Sequence, residues 1–368
     1  MTTIDDLRAR ITDPADDPAR AAGAGGAAER WSTRAKPPGA LGRVEDAAIR
    51  VAAITGRCPP AVPERPAVVV FAGDHGVVAD GASAWPSEVT AAMVQAMAGG
   101  GAAVNAFAAT VGATLTVVDV GVASPLPDLT TSFRDAPDVA GDVSRGPERV
   151  VLDRRVRAGT ASIAREAAMT RAEAEAAVLA GASVADDVIE AGADLLVGGD
   201  MGIGNTTSSA ALVAWATGTA PDGLVGLGAG LPADGLDRKR ALVRAAVHRA
   251  RDLDDPLDAL AEIGGLEIAA LAGLHLAAAA RRLPTIVDGV IGAAALCVAD
   301  AIAPGTAAHA IGGHRSVEPA SAVALAHLGI TPLLDLDLRL GEGTGACLAI
   351  PLVQAACRAL RDMADLPA

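Results

Sequence analysis

Aromatic side chains are scarce in this chain, 2% of 368 residues, with no Tyr at all. The 51% of residues that are hydrophobic are therefore mostly Ala, Val and Leu, a composition suited to close helix–sheet packing rather than to an aromatic-lined binding surface. Positive charge is also in short supply: 30 Lys and Arg against 44 Asp and Glu leave a formal net charge of -14. Nucleic acid and anionic membranes both require a basic face, so neither is an expected partner. One small phosphate is not excluded, because a local nest of N–H donors suffices to hold it. The four cysteines (Cys58, Cys297, Cys347, Cys357) show no CxxC spacing and stand among apolar residues. Buried, unreactive thiols in a reducing compartment are expected. The six histidines are scattered without HExxH-type spacing, so no metal is expected. Long apolar runs are missing as well. The most apolar stretch, "EIAALAGLHLAAAARRLPTIVDGVIGAAALCVA", is broken by Arg281, Arg282, Pro284 and Asp288, short of the roughly 20 uninterrupted residues of a membrane helix. The start, "MTTIDDLRARITDPADD", is acidic and has no apolar signal core, which leads to the expectation of a soluble cytoplasmic protein.

What is present is a repeated alternation. Residues 1–30 read as a polar helix and an Ala/Gly-rich link, followed by a Lys-Pro-Pro-Gly turn and an amphipathic helix. Then come short apolar runs that each end in Gly or Asp: "PAVVVFAGDHG", "ATLTVVDVG", "ADLLVGGDMG", "GLVGLGAG", "LPTIVDGV" and "ITPLLDLD". Runs of this length suit strands buried on both faces of a parallel sheet. Helical segments such as "TRAEAEAAVLAGASVADDVIEAG" and "LDRKRALVRAAVHRARDL" separate them, which predicts a doubly wound α/β fold. In such a sheet ligands bind beyond the carboxyl ends of the strands, where Asp74, His75, Asp119, Asp200 and Asp288 would fall.

Three stretches could carry chemistry. In "VGGDMGIGNTTSSAALVAWATG" a strand gives way to a Gly-rich turn, and Asn205, Thr206 and Thr207 open a helix, which makes an anion site or simply a capped helix. The turn has neither the Gly-Lys-Thr/Ser of a Walker loop nor the GxGxxG spacing. In "FAGDHGVVADGASAWPSEVTAAMVQAM", Asp74 and His75 could orient a loop or a substrate, and Trp85 could wall a flat ring or pack in the core. There is no GxSxG elbow and no cysteine in an electropositive setting, so carboxylates are left as acid/base groups. Glu342, between Gly341 and Gly343 in "LRLGEGTGA", is the best placed of them, its alternative being a plain exposed loop residue.

Together, "KPPGALG", "AGDHGV", "GGDMGIGNTT", "EIAALAGLHLAAAARRLPTIVDGVI", "GHRSVEPA" and "DLDLRLGEGTGA", in this order, resemble the nicotinate-nucleotide:dimethylbenzimidazole phosphoribosyltransferase family of cobalamin lower-ligand assembly. The resemblance runs from Lys36 to the C-terminal helix and does not include the first thirty residues. It implies a Rossmann-like six-stranded parallel sheet with a small helical domain built from both chain ends. The boundaries it suggests are 1–55 and 311–368 for the parts at the two ends, the latter with active-site loops, and 56–310 for the large α/β domain. It also implies a homodimer with each site closed by the neighbour's small domain, no cofactor and no metal. The implied reaction joins nicotinate mononucleotide and 5,6-dimethylbenzimidazole to give α-ribazole 5′-phosphate and nicotinate.

By the same resemblance Glu342 is the general base. Gly202, Gly204, Asn205, Thr206, Thr207 and Lys239 match positions that hold the phosphate and ribose, with Gly341 and Gly343 on the ribose-facing side. Trp85, Pro86 and Met93 mark the azole pocket, while Asp74, His75, Asp200, Asp288 and Ser316 support the site. Two departures stand out. Asp200 replaces a Glu common in the family, shortening its reach by about 1.5 Å. "GHRSVEPA" replaces the more usual Ser-His-x-Ser-Ala-Glu, which retains Ser316 and Glu318 but weakens a specific role for His314. Readings from other classes are a non-catalytic nucleotide or azole binder, whose mark would be loss of the base, and a nicotinamide-dependent oxidoreductase, for which the Gly fingerprint and its acidic ribose partner are both missing.

Overall fold

A computed structural model describes residues 2–12, 16–126 and 150–366. The chain opens with three helices, α1 (Ile4–Arg10), α2 (Pro18–Thr33) and α3 (Arg43–Thr55), and then enters the sheet at β1 (Pro66–Gly73). Helices α4 (Glu88–Gly99) and α5 (Ala103–Thr110) lead to β2 (Thr114–Gly121), followed by β3 (Val150–Asp153), α6 (Arg171–Glu190) and β4 (Leu195–Met201). Next are α7 (Asn205–Thr217), α8 (Leu236–Ala250), α9 (Pro256–Ile263), α10 (Leu266–Ala280), β5 (Thr285–Val287), α11 (Val290–Ile302) and β6 (Ala310–Gly312). The chain ends with β7 (His314–Arg315), α12 (Pro319–His327), β8 (Leu334–Asp335) and α13 (Thr344–Asp362).

The main sheet is six-stranded in the order β3-β2-β1-β4-β5-β6, with every pairing parallel. This is the doubly wound α/β architecture predicted. The chain winds outward one way from β1 and the other way from β4, so the crevice between their carboxyl ends is the topological switch point. Every residue of β1 is buried, because helices cover both faces. On one face α6 and α10 lie against each other so closely that a Cβ on Gly181 would stand 1.8 Å from the Ala270 carbonyl oxygen, and one on Gly273 1.9 Å from that of Val178. The other face carries α4, α5 and α13, with Val94, Met97, Val104 and Ile350 packed on Val68 and Val70. Beside it, α2, α3 and α13 share a small cluster of Trp31, Ala48, Ala356 and Leu360, drawn from both ends of the chain.

Several local expectations are corrected. The Ala/Gly-rich segment is not a link but helix α2, started by Asp17, whose side chain accepts from the Ala19 and Arg20 amides, and by Pro18. Its Gly23 allows close approach to α3, since a Cβ there would lie 2.1 Å from the Ala52 carbonyl oxygen. Helix α1 packs apart from the small helical cluster: Ile4 and Leu7 are buried in the core cluster of α6, α10 and α11 instead. "GLVGLGAG" is a turn-rich loop, because Gly228 (φ +57°) and Gly230 (φ +95°) cannot continue a strand. "ITPLLDLD" contributes only the two residues of β8, which pair with β7 outside the main sheet. The strands that complete the six are β3 and β6, too short and too plain in "VVLD" and "AIG" to show a period. Cys58 is exposed, whereas Cys297, Cys347 and Cys357 are buried, their thiols pushed up to about 12 by burial. Asp119 is committed to structure, accepting from the Gly121 and Val122 amides and pairing with Arg155. Among the described residues no helix is long and apolar enough to cross a membrane.

Candidate active site

A cavity of about 750 Å³ opens at the switch point. Its walls come from Trp85, Val89 and Met93, the turn between β4 and α7, the loop 227–231, Lys239 of α8, the start of α11, His314, Ser316 and Glu318, and the loop 337–342. Its two ends differ in charge.

At one end the chain leaves β4 and turns into α7 with Gly204 (φ +96°) as the cap and no side-chain cap bond. Asn205 and Thr206, the first residues of α7, line the cavity, so the positive end of the helix dipole faces it. Lys239 reaches the same place from α8. It is 1% exposed, and its Nζ donates to Thr206 Oγ1 (2.8 Å) and the Gly226 carbonyl (3.0 Å). No carboxylate lies within ion-pair distance of it among the described residues. Burial lowers its pKa, with Glu318 pulling the other way; Glu318 Oε1 itself accepts from the Gly228 amide (2.7 Å). A buried ammonium with only neutral hydrogen-bond partners, beside a helix N-terminus, is chemically suited to an anion.

At the other end Gly341 (φ +86°), Glu342 (φ +63°) and Gly343 (φ +86°) are consecutive left-handed residues. For Glu342 that conformation is costly and must be held by its surroundings. Its amide donates to the Asp200 carbonyl (3.2 Å), and its own carbonyl lies against Gly199, where a Cβ would approach it to 2.4 Å. The carboxylate is turned toward the first turn of α5, and the Val104 amide donates to Oε2 (3.2 Å). Glu342 is 3% exposed. Burial raises its pKa, the Val104 bond opposes this, and the neighbouring charge of Asp288 adds to the rise.

Between the two ends stands Asp200, whose Oδ2 accepts from Asn205 Nδ2 (2.9 Å). Its pKa is raised well above the ordinary value, first by burial and then by the charges of Asp288 and Glu267, against the pull of the Asn205 bond. Behind it, Asp288 Oδ1 accepts from the Ala346 amide in the first turn of α13 (2.8 Å) and lies 3.5 Å from His314 Nε2. Burial disfavours a charged His314, but Asp288 outweighs it and the pKa is raised. Below the turn His75 is clamped, Nε2 2.7 Å from Glu267 Oε1 and Nδ1 3.1 Å from Ser208 Oγ. Burial opposes its protonation, and Glu267 again outweighs burial. Its ring packs under Gly202 and Gly265, so it props the floor of the anion end.

A family model described as phosphoribosyltransferase matches residues 16–367. The chain belongs to the nicotinate-nucleotide–dimethylbenzimidazole phosphoribosyltransferase family. It is 50% identical over 339 residues to the nicotinate-nucleotide–dimethylbenzimidazole phosphoribosyltransferase of Salinispora tropica, covering 92% of both chains. With the protein of the same name from Chloroflexus aurantiacus it is 45% identical over 352 residues, 95% of this chain and 93% of that one. The crystal structure of the corresponding phosphoribosyltransferase from Thermus thermophilus superposes with a TM-score of 0.84 at 45% identity, covering 95% of this chain and 97% of that one. The family match begins within the first thirty residues, ahead of the Lys36 start read from motifs.

Of the residues singled out from sequence, the structure brings Trp85, Met93, Asp200, Gly202, Gly204, Asn205, Thr206, Lys239, Ser316, Gly341 and Glu342 to the cavity wall. Others do not reach it. Pro86 is exposed and outside the wall, its carbonyl starting α4 by accepting from Val89 N–H; Val89 takes its place in the wall. Thr207 is fully buried and outside the wall, its amide bonded to the Gly204 carbonyl. Gly343 sits behind the wall against Val68 and Val197 and caps α13. Asp74 stands a layer back, accepting from the Ala123 amide (2.8 Å), as do His75 and Asp288. Sequence reading missed Glu267, although a single carboxylate in a helix whose other residues, His275 apart, are apolar or small was a visible signal. The role of the Val104 amide carried no side-chain signal at all.

Proposed function

We propose that this chain transfers the phosphoribosyl group of nicotinate mononucleotide to 5,6-dimethylbenzimidazole, giving α-ribazole 5′-phosphate and nicotinate, with Glu342 as general base. The observation that carries the reading is the polarity of one cavity: an unpaired buried ammonium and a helix N-terminus at one end, a buried carboxylate at the other. The phosphate would lie against Asn205, Thr206 and Lys239, and the ribose near Gly202 and Gly341. The azole would lie between Met93, Val89 and Glu342. A nucleotide and a flat bicyclic ring fit within the ordinary size range of ligand pockets.

The pyridinium nitrogen of nicotinate mononucleotide is already cationic, so the ring departs neutral at nitrogen and needs little acid help. The hard part is the nucleophile. A carboxylate that takes the proton from one azole nitrogen raises electron density on the other, which attacks C1′ from the face opposite the leaving ring and inverts it. General-base help of this kind is worth about 10²–10⁴-fold. Burial that lifts the Glu342 pKa makes it a stronger base at neutral pH. Asp200, also pushed toward its protonated form, holds Asn205 and the Glu342 amide in place.

The mouth of the cavity carries Trp85, Leu227 and Leu340, all 45% exposed or more. A second copy, its small helical cluster laid over this rim, would cover them and exclude water from the reaction. Light scattering on the purified chain is expected to give a dimer; a fully active monomer would overturn this part. The reaction itself is tested by mixing purified protein with nicotinate mononucleotide and dimethylbenzimidazole. Release of nicotinate with formation of α-ribazole phosphate is expected, and absence of both products with every benzimidazole tried removes the proposal.

A further inference from the structure

A second cavity, of about 380 Å³, shares no wall residue with the first. It lies where α2 and α3 meet the outer edge of β6 and the loop 329–333. Its polar side chains are Arg20, Arg43 and Arg50, with Asp46 and Thr331. We propose that it binds a phosphate group, free or carried on a small sugar.

The charge balance is the first argument. The chain has a net charge of -14, yet three guanidinium groups converge here and none forms an ion pair among the described residues. Asp17, the acid that acts on Arg20 from outside the wall, is engaged by Arg282. Arg50 is crowded enough that its pKa falls to about 10, first through burial and then through the positive charge of Arg20. The one carboxylate of the wall, Asp46, is exposed and forms no ion pair with the three among the described residues, so the cluster keeps a net positive charge and gains from an anion placed between its members.

Geometry is the second. A structural reading would have the arginines only stitch the helices to the bare edge of the sheet. They do so in part: Arg50 Nε and Nη2 donate to the Ala310 and Ala307 carbonyls (3.0 Å each), Arg20 Nη1 to Ala308 (2.9 Å), and Arg43 Nη1 to Pro332. A guanidinium carries five N–H donors, so these bonds orient each group and leave most of its donors unused. The rest of the wall, including Ala24, Ile49, Ile330 and Leu333, is apolar, and the volume falls in the lower range of small-ligand pockets. Planar guanidiniums fixed by backbone carbonyls are preorganised for the two-pronged binding of phosphate oxygens.

The test is equilibrium binding of orthophosphate and, separately, of ribose 5-phosphate to the full chain. It is run in a Lys239→Met background, which removes the ammonium at the first cavity. One equivalent per chain is expected to persist there. Adding Arg20→Gln and Arg43→Gln is expected to weaken it at least about tenfold. If that double change impairs folding, Arg43→Gln alone, at an exposed side chain, is expected to weaken binding in the same direction. Tighter binding of ribose 5-phosphate than of orthophosphate supports a sugar phosphate as the ligand, and equal affinities support free phosphate. No binding in the Lys239→Met protein, or binding indifferent to the arginine changes, overturns the proposal.

Discussion

Two glycine-rich turns face each other across the cavity, and their backbones are nearly the same device. Each leaves the sheet region, places a left-handed glycine at the cap of a helix (Gly204 before α7, Gly343 before α13), and uses no side-chain cap. Yet one presents N–H groups and the Lys239 ammonium, and the other presents the carboxylate of Glu342. The difference lies in what fills each helix N-terminus. In α13 the Asp288 carboxylate accepts from the Ala346 amide, so that helix already holds its anion. The opening residues of α7 face open space, so that helix can take an external one. Glu342 meanwhile turns away from its own helix and leans on the N-terminus of a third, α5. A Gly-rich turn before a helix is therefore not by itself a phosphate site; the neighbours of its first amides decide.

Breaking the carboxylate turn should have the largest effect. Glu342→Gln keeps the shape and can still accept from the Val104 amide, but it cannot take a proton. Turnover is expected to fall by at least about 10²-fold, with nicotinate mononucleotide affinity retained, as read by steady-state rates alongside direct binding. Breaking the anion turn should act on binding instead. Lys239→Met is expected to raise the KM for nicotinate mononucleotide roughly 10–100-fold, the worth of a charge-assisted hydrogen bond, with a smaller change in kcat. If the two substitutions gave the same KM and kcat pattern, the division of labour between the turns would be wrong.

The smallest effect sharpens the comparison at Asp200, which touches both turns through Asn205 and the Glu342 amide. Its folded-state pKa is raised, so its contribution to stability is fully present below the unfolded value of about 3.9 and is lost as pH rises through the folded value. Asp200→Asn mimics the protonated form at every pH. It is expected to melt higher than the parent at pH 8, with the gap closing as the pH is lowered toward 5. The gap should be on the order of 1–2 °C for each kcal/mol recovered. A variant that melts lower at pH 8 would show that Asp200 is held ionised.

How much of this was legible from the chain alone differs between fold and site. Strands β1, β2, β4 and β5 announced themselves as apolar runs that stop at Asp or Gly, and the alternation with helices fixed the class of architecture. The outer strands did not, because three or four residues in "AIG" or "VVLD" carry no period and are made strands by their neighbours. Helix α2 was hidden by its glycines, of which Gly23 serves close contact with α3. At the site, Glu342 was readable as a lone ionisable residue between glycines, whereas Lys239, flanked by Asp237, Arg238 and Arg240, was picked out only through the family resemblance. Thr207 and Gly343 each stand one residue past a residue that lines the cavity: adjacent residues at a helix start point in different directions, and motif spacing does not say which faces a cavity. The amide of Val104, the Glu267 clamp on His75 and the arginine cavity arise from chain segments far apart in sequence, which only the fold brings together.

The central claim is that Glu342, and not Asp200, is the carboxylate that meets the azole. A crystal structure with dimethylbenzimidazole bound tests it most directly. The account predicts a Glu342 carboxylate oxygen within hydrogen-bonding distance, about 2.6–3.2 Å, of one azole nitrogen, while the other nitrogen points toward the Gly202–Thr206 turn. An azole whose ring nitrogens both lie beyond reach of Glu342, or contact Asp200 instead, would contradict it.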